Sequence, residues 1–160
     1  MISITNNMAA NKKDKKLFLW VCFIAYLLLL GYMLFYSSYF GRVGNEEYRY
    51  NLTFLQEIGR FYHLGVNTGN WELFILNVFG NIVVFIPIGL FLPKLIKRCK
   101  NILLTTLLTF EISLCVELVQ LITKVGSFDV DDLFLNTLGG LCGYIIYMFF
   151  HGIKRLIYKK

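Results

Sequence analysis

Four long apolar segments, separated by polar loops, dominate the pattern of this chain. Each is close to the roughly 20 residues that an α-helix needs to cross the hydrocarbon core of a bilayer. A soluble protein of 160 residues could not bury four such segments in one core. The pattern therefore predicts an all-α membrane protein, a bundle of four transmembrane helices. The predicted spans are Leu17 to Tyr36, Leu73 to Pro93, Ile102 to Thr123 and Leu133 to Phe150.

The loop between the first two spans has a different pattern. In the stretch "TFLQEIGRFYHLG" the apolar residues recur with helical spacing and occupy one face. Thr53, with Gln56 three residues later, fits a capping box, and Gly65 is a residue at which a helix can end. We expect a short amphipathic helix here, which either lies on the membrane surface or packs over the mouth of the bundle.

Positive charge indicates how the spans are oriented. Most of the 16 lysines and arginines precede the first span, lie between the second and third, or follow the fourth. Because the cytoplasmic side retains basic segments during insertion, both termini are predicted to be cytoplasmic, in a multi-pass protein of the cell membrane. The predicted organisation is a basic tail (1–16), a membrane domain (17–151) with an outer loop (41–72), and a second basic tail (152–160).

Charge and cysteine content narrow the range of partners. The net charge of +6 follows from this topology and suits contact with anionic lipid headgroups, so membrane lipids are expected partners and nucleic acid is not. Cys22, Cys115 and Cys142 lie inside spans, and Cys99 lies in a loop predicted to be cytoplasmic. None is placed for an outside disulfide or a clustered metal site. The sequence predicts neither a metal nor a cofactor.

Polar residues inside the third span follow one stripe of the helix. They are spaced three or four residues apart, so they share a face, and in a membrane that face is expected to point into the bundle. Glu111 lies off this stripe near the middle of the span, and its role is left open. The stripe consists of Thr106, Thr109, Ser113, Glu117, Gln120 and Lys124.

The second span combines two amides with a proline. Asn77 and Asn81 lie one turn apart near its outer end. Pro87 removes a backbone donor and leaves the carbonyl of Val83 without its helical partner, which predicts a kink near mid-membrane. Broken helices are tolerated in membranes where neighbours or a cavity satisfy the freed groups.

The segment "GSFDVDDLFLNTLGG" allows two interpretations. On a structural one, Asp129 caps the fourth helix, and Asp131 and Asp132 complement its dipole. On a functional one, Asp129 and Asp132 point with Asn136 toward the third span as a site for a cation or for sugar hydroxyls. Asp131 points away from that group, so we expect it only to cap its own helix. The small residues Gly139, Gly140 and Gly143 form a face on which another helix can pack.

Depth in the membrane brings the polar residues to one level. At about 1.5 Å of rise per residue, the candidate site residues of the second, third and fourth spans fall in the outer half of the bilayer. The sequence therefore predicts an acidic, amide-rich pocket open to the extracytoplasmic side. Its candidate residues are Asn77, Asn81, Glu117, Gln120, Asp129, Asp132 and Asn136.

With these residues in place, the chain resembles the VanZ-like family over about residues 51–147. Three segments carry the resemblance: "NVFGNIVVFIPIGLFLP" with Pro87 and Gly89, then "ELVQ", then "DVDDLFLNTLGGLCG". Where the family often has an arginine before the aspartates, this chain has Gly126 and Ser127, which leaves Lys124 as the candidate charge partner. The resemblance implies a bacterial multi-pass membrane protein associated with reduced sensitivity to teicoplanin-type antibiotics.

Three functional hypotheses remain open from the sequence. The first is a binding or accessory protein whose outer pocket engages a glycopeptide, a lipid-linked wall precursor or an envelope enzyme. The second is a membrane enzyme that uses Asp129, Asp132 and Glu117 on a lipid-linked precursor. The third is a small transporter, although the chain has no internal repeat. The oligomeric state stays undetermined.

Overall fold

The computed structural model describes the backbone of residues 2–36 and 47–157, and the side chains in these ranges from Lys13 onward. Four of its helices contain stretches long and apolar enough to cross a membrane, which confirms the predicted fold class. The side chains of residues 1–12, and residues 37–46 and 158–160, which include parts of both predicted basic tails and of the first loop, lie outside this description. In chain order the elements are α1 (Ile2–Phe35), β1 (Arg49–Asn51), α2 (Gln56–Thr68), α3 (Glu72–Leu95), a 3-10 turn (Lys97–Lys100), α4 (Ile102–Thr123), β2 (Ser127–Asp129) and α5 (Val130–Ile157).

The helices follow the predicted spans and in places extend past them. The third span has the predicted bounds, whereas α5 begins three residues before Leu133 and continues beyond Phe150. The first helix begins at Ile2, inside the predicted tail. An apolar run marks where a helix meets lipid, and backbone hydrogen bonding does not have to stop at the edge of that run.

Helices α3 and α5 form the central pair, and their backbones touch. A Cβ atom added at Gly139 would overlap the carbonyl oxygen of Ile82, and one at Gly143 would overlap that of Ile86. A Cβ at Gly89 would likewise overlap the carbonyl oxygen of Gly140. Small residues let helices in a membrane approach closely, and van der Waals contact then stabilises the pair.

The polar stripe of α4 lies against this pair, with one change from the sequence prediction. Thr105 is buried at the start of the stripe and Thr106 is only half-buried. The Thr105 hydroxyl donates to the Cys99 carbonyl over 2.6 Å, and this bond turns it inward. A Cβ added at Gly140 would overlap the Thr109 side chain, so the stripe also packs on α5. Glu111 lies on the exposed face of α4.

Helix α1 is the least buried of the four spanning helices, and it packs on α3. Phe23 contacts Phe91 with ring centroids 5.3 Å apart. The Tyr26 hydroxyl donates to the Val84 carbonyl over 2.6 Å, one residue after the carbonyl that Pro87 frees. Helix α3 continues through Pro87 as one element, and the predicted kink stays a prediction.

The amphipathic helix is present as α2, but both of its predicted ends are wrong. It begins at Gln56 after Leu55, which has a left-handed backbone (φ 65°) and no side-chain cap. Gly65 does not end the helix and is buried against the Trp71 ring. The helix ends at Gly69 with φ 72°, a conformation that glycine adopts without strain.

A short parallel pairing, absent from the sequence prediction, joins the loop to the start of α5. Strand β1 pairs with β2 in a register that places Asn51 opposite Asp129. This pairing places the segment before α2 beside the first turn of α5. It thereby fixes which residues of the two segments can meet.

We predict that Gly143→Ala destabilises the bundle by about 1–3 kcal/mol, because its methyl group would enter space held by the α3 backbone. Gly80→Ala is the matched control, since a Cβ at Gly80 has nothing within 4 Å. The measurement is the midpoint of thermal unfolding in detergent. Equal midpoints for the two variants would contradict the close contact.

Candidate functional site

Predicted site residues of α3 and α5 meet at one end of the bundle, which we call the acidic end. The Asn81 amide donates to the Asp132 carboxylate over 2.5 Å. Asn77, one turn earlier on α3, is half-buried, and its amide oxygen is shielded from solvent. The structure thus joins Asn81 to Asp132 directly, and Asn77 lies on the same helix one turn toward its start.

A second contact joins α4 to the segment before α5. Glu117 is 2% exposed, and its carboxylate accepts the backbone N–H of Asp129 over 3.0 Å. The Asp129 carboxylate in turn accepts the Asn51 amide over 3.1 Å and the Asp131 N–H over 2.8 Å. The bond to the Asp131 N–H is the helix cap that the structural interpretation of the sequence predicts.

Burial and hydrogen bonds act in opposite directions on the pKa of Asp129. Burial raises the pKa of this carboxyl group above its ordinary value, because the charged form loses hydration. Hydrogen bonds from Asp131 N–H and from Asn51 act in the opposite direction, and the nearby carboxylates of Asp131 and Glu57 raise the pKa further. Asp129 is thus a carboxyl group that gains from a donor or a positive charge brought close to it.

Gln120 and Asn136 are buried but bond to partners other than the aspartates. The Gln120 amide donates to the Leu34 carbonyl of α1 over 3.0 Å. The Asn136 amide donates to the Ser113 hydroxyl of α4 over 3.0 Å. These two residues therefore tie α4 to α1 and to α5, and the common pocket of all seven residues stays a prediction.

The sequence prediction that Asp131 only caps its own helix is wrong. Asp131 does not point away to cap its own helix: it is fully buried, and its carboxylate accepts three N–H groups at the start of α2. These donors are Leu55 at 2.5 Å, Glu57 at 2.9 Å and Ile58 at 3.2 Å. The first N–H groups of a helix have no intrahelical partner, and a carboxylate there also suits the helix dipole.

A signal for this contact was present in the sequence. Three aspartates within one turn are more than a single helix end requires. An amphipathic helix that begins after an apolar residue such as Leu55 has to obtain its cap from elsewhere in the chain. The two observations together could have suggested that one aspartate caps α2.

The acidic end is rich in acceptors that lack donors. Among the residues that the structure describes, four buried side-chain oxygens have no hydrogen-bond partner, and three of them belong to the predicted site. Buried acceptors without partners are costly, so they are rare in folded proteins. Such a set suits a ligand that brings hydroxyl, amide or ammonium donors. The three are the amide oxygens of Asn77, Gln120 and Asn136.

Within the described ranges, no three histidine, cysteine or acidic side chains are grouped so that they could hold a metal ion.

Lys124, the candidate charge partner, places its ammonium group 4.7 Å from the centre of the Tyr48 ring. A cation–π contact of this kind holds the loop before β1 against the turn after α4.

Four apolar helices, joined at one end by buried carboxylates and amides, define a multi-pass membrane protein with a polar end. The VanZ/LLP1 family matches residues 23–151, and the chain belongs to that family. Protein VanZ of Enterococcus faecium is 34% identical over 80 residues, which is 50% of this chain and 47% of that relative. The chain thus spans about half the length of the curated relative that it matches. No solved structure matches the chain.

We predict that Asp131→Asn loosens α2 while the four spanning helices stay folded. The amide has one acceptor oxygen in place of two, and each buried N–H left without a partner costs about 1–3 kcal/mol. Hydrogen exchange should therefore become faster at Glu57 and Ile58. Glu72→Gln, an exposed acidic residue at the start of α3, is the control and should leave exchange in α2 unchanged. Unchanged exchange in the Asp131 variant would refute the capping role.

Proposed function

We propose that this protein is a binding or accessory protein of the bacterial cell envelope that contributes to low-level resistance to teicoplanin-type glycopeptides. The acidic end of the bundle is its binding site. The observation that carries the proposal is that three predicted site residues, Asn77, Gln120 and Asn136, each have a buried amide oxygen without a hydrogen-bond partner in the described part of the chain. Membership of the VanZ/LLP1 family supports the resistance role.

The chemistry of the site indicates the class of ligand. Oxygen acceptors of amides and carboxylates bind hydroxyl and ammonium groups, and a buried carboxyl such as Asp129 favours a partner that supplies a donor. Glycopeptides and lipid-linked wall precursors both carry sugars whose hydroxyl groups are donors. Either ligand would place these donors against the acidic end.

The proposed orientation brings the site to the correct side of the membrane. Basic residues cluster in the turn between α3 and α4, at Lys97, Arg98 and Lys100, and again in the last turn of α5. By the positive-inside rule this end lies in the cytoplasm of a cell-membrane protein, with both termini. The acidic end then faces the wall, where glycopeptides and wall precursors meet.

Asn77 offers a test that separates binding from folding. Its amide oxygen supports no hydrogen bond to the described part of the chain, so Asn77→Ala should leave the thermal midpoint unchanged. Loss of one neutral hydrogen bond to a ligand weakens binding by about 2- to 10-fold. Expressed in a teicoplanin-sensitive host, the wild type should raise the inhibitory concentration of teicoplanin, and Asn77→Ala should lower that gain.

Thr106→Val is the matched control. Its hydroxyl oxygen is the fourth unpartnered buried acceptor, but it lies near the start of α4. That is the opposite end of the bundle, which carries Lys97, Arg98 and Lys100 and is called the basic end. The control should keep the full gain in tolerance at equal membrane abundance. The proposal fails if the wild type gives no gain, or if Asn77→Ala and Asp132→Asn both retain it in full.

A further inference from the structure

A groove at the opposite end of the bundle has a chemistry that the proposed function does not use. It lies between the last turns of α3 and of α5, and it has a volume of about 570 Å³. Three lysines line it, one from each neighbouring element: Lys94 on α3, Lys100 on the turn after α3, and Lys154 on α5. This volume falls within the range of about 300–1,000 Å³ that is typical of small-molecule sites.

The three lysines that line the groove have no acidic partner among the residues that the structure describes. Among those residues no carboxylate lines the groove, and none lies within ion-pair distance of Lys94, Lys100 or Lys154. His151 also lines it, stacked on the Tyr147 ring at a centroid distance of 5.6 Å. The groove thus offers donors and positive charge, the reverse of the acidic end.

Apart from the lysines and His151, the lining consists of aliphatic and aromatic side chains. Leu90 and Pro93 belong to the apolar part of α3, and Phe150 of α5 is largely exposed. A ligand that matches the whole groove has an anionic headgroup, which contacts the lysines, and a hydrocarbon part, which contacts the apolar lining. Free phosphate would contact only the lysines.

The position of Lys100 is fixed relative to α5. The Tyr144 hydroxyl donates to the Lys100 carbonyl over 2.5 Å, so the turn that carries this lysine is held against the helix that carries Lys154. A preformed arrangement reduces the entropy lost on binding. The backbone that carries Lys100 is therefore held beside α5 before a ligand binds.

We propose that this groove binds a membrane lipid with a phosphate headgroup, in the leaflet at the basic end. Affinity should be highest for a phosphomonoester, because its second negative charge faces three unpaired lysines. Basic pockets between transmembrane helices are known to hold anionic headgroups. The inference is independent of the ligand at the acidic end.

The test uses the purified full chain in neutral detergent, with native mass spectrometry to count bound lipid. Short-chain phosphatidic acid is titrated against the wild type, with phosphatidylcholine as the zwitterionic comparison and inorganic phosphate as competitor. Each of Lys94→Gln, Lys100→Gln and Lys154→Gln should weaken binding of phosphatidic acid by about fivefold. The side chains are exposed, so thermal midpoints should not change.

Lys97→Gln is the matched control, because Lys97 belongs to the same turn but does not line the groove. It should bind phosphatidic acid as the wild type does. The proposal is overturned if Lys97→Gln weakens binding as much as Lys94→Gln, since general surface charge would then explain the affinity. It is equally overturned if phosphatidylcholine binds as tightly, or if inorganic phosphate displaces the lipid at equal concentration.

Discussion

The acidic end depends on the buried carboxylate of Asp131 at the start of α2. A buried charge is tolerated only where hydrogen bonds and opposite charge compensate for lost hydration. Here three backbone N–H groups and the positive end of the α2 dipole supply that compensation. In return the carboxylate satisfies donors that Leu55 cannot cap. The start of α2 and the first turn of α5 are thereby one hydrogen-bonded unit.

The three aspartates of this segment each serve a different part of the fold. Asp129 caps its own helix and is linked to Glu117 of α4 through its backbone N–H, Asp131 caps α2, and Asp132 accepts the Asn81 amide of α3. The carboxylates are therefore already engaged by donors of the chain. The acceptors left for a ligand are mainly amide oxygens, which are neutral. Under the proposed function, these amide oxygens accept hydroxyl, amide or ammonium donors of the ligand, and the carboxylates set the local potential.

Helix periodicity accounts for the part of this structure that the sequence could predict. Length and the 3.6-residue period gave the four spans, the inward stripe of α4 and the glycine face of α5. The cap of α2 could not be derived in the same way, because Leu55 and Asp131 are separated by 76 positions and periodicity carries no such information. Strands of three residues are too short to show a period. The partner of Gln120 is the backbone carbonyl of Leu34, which no side-chain pattern reveals.

The two ends of the bundle have opposite chemistry, yet α3 and α5 contribute to both. Between those ends the two backbones touch at Gly89, Gly139 and Gly143, and close packing of this kind leaves little freedom to slide or tilt. Among the described glycines of α1 and α2, none touches a neighbouring backbone in this way. Helix α1 is the least buried span and joins the polar stripe through the Leu34 carbonyl, while α2 is held at its start by Asp131. The rigid part of the bundle is therefore the pair formed by α3 and α5, and α1 and α2 are attached to it through hydrogen bonds and side-chain packing.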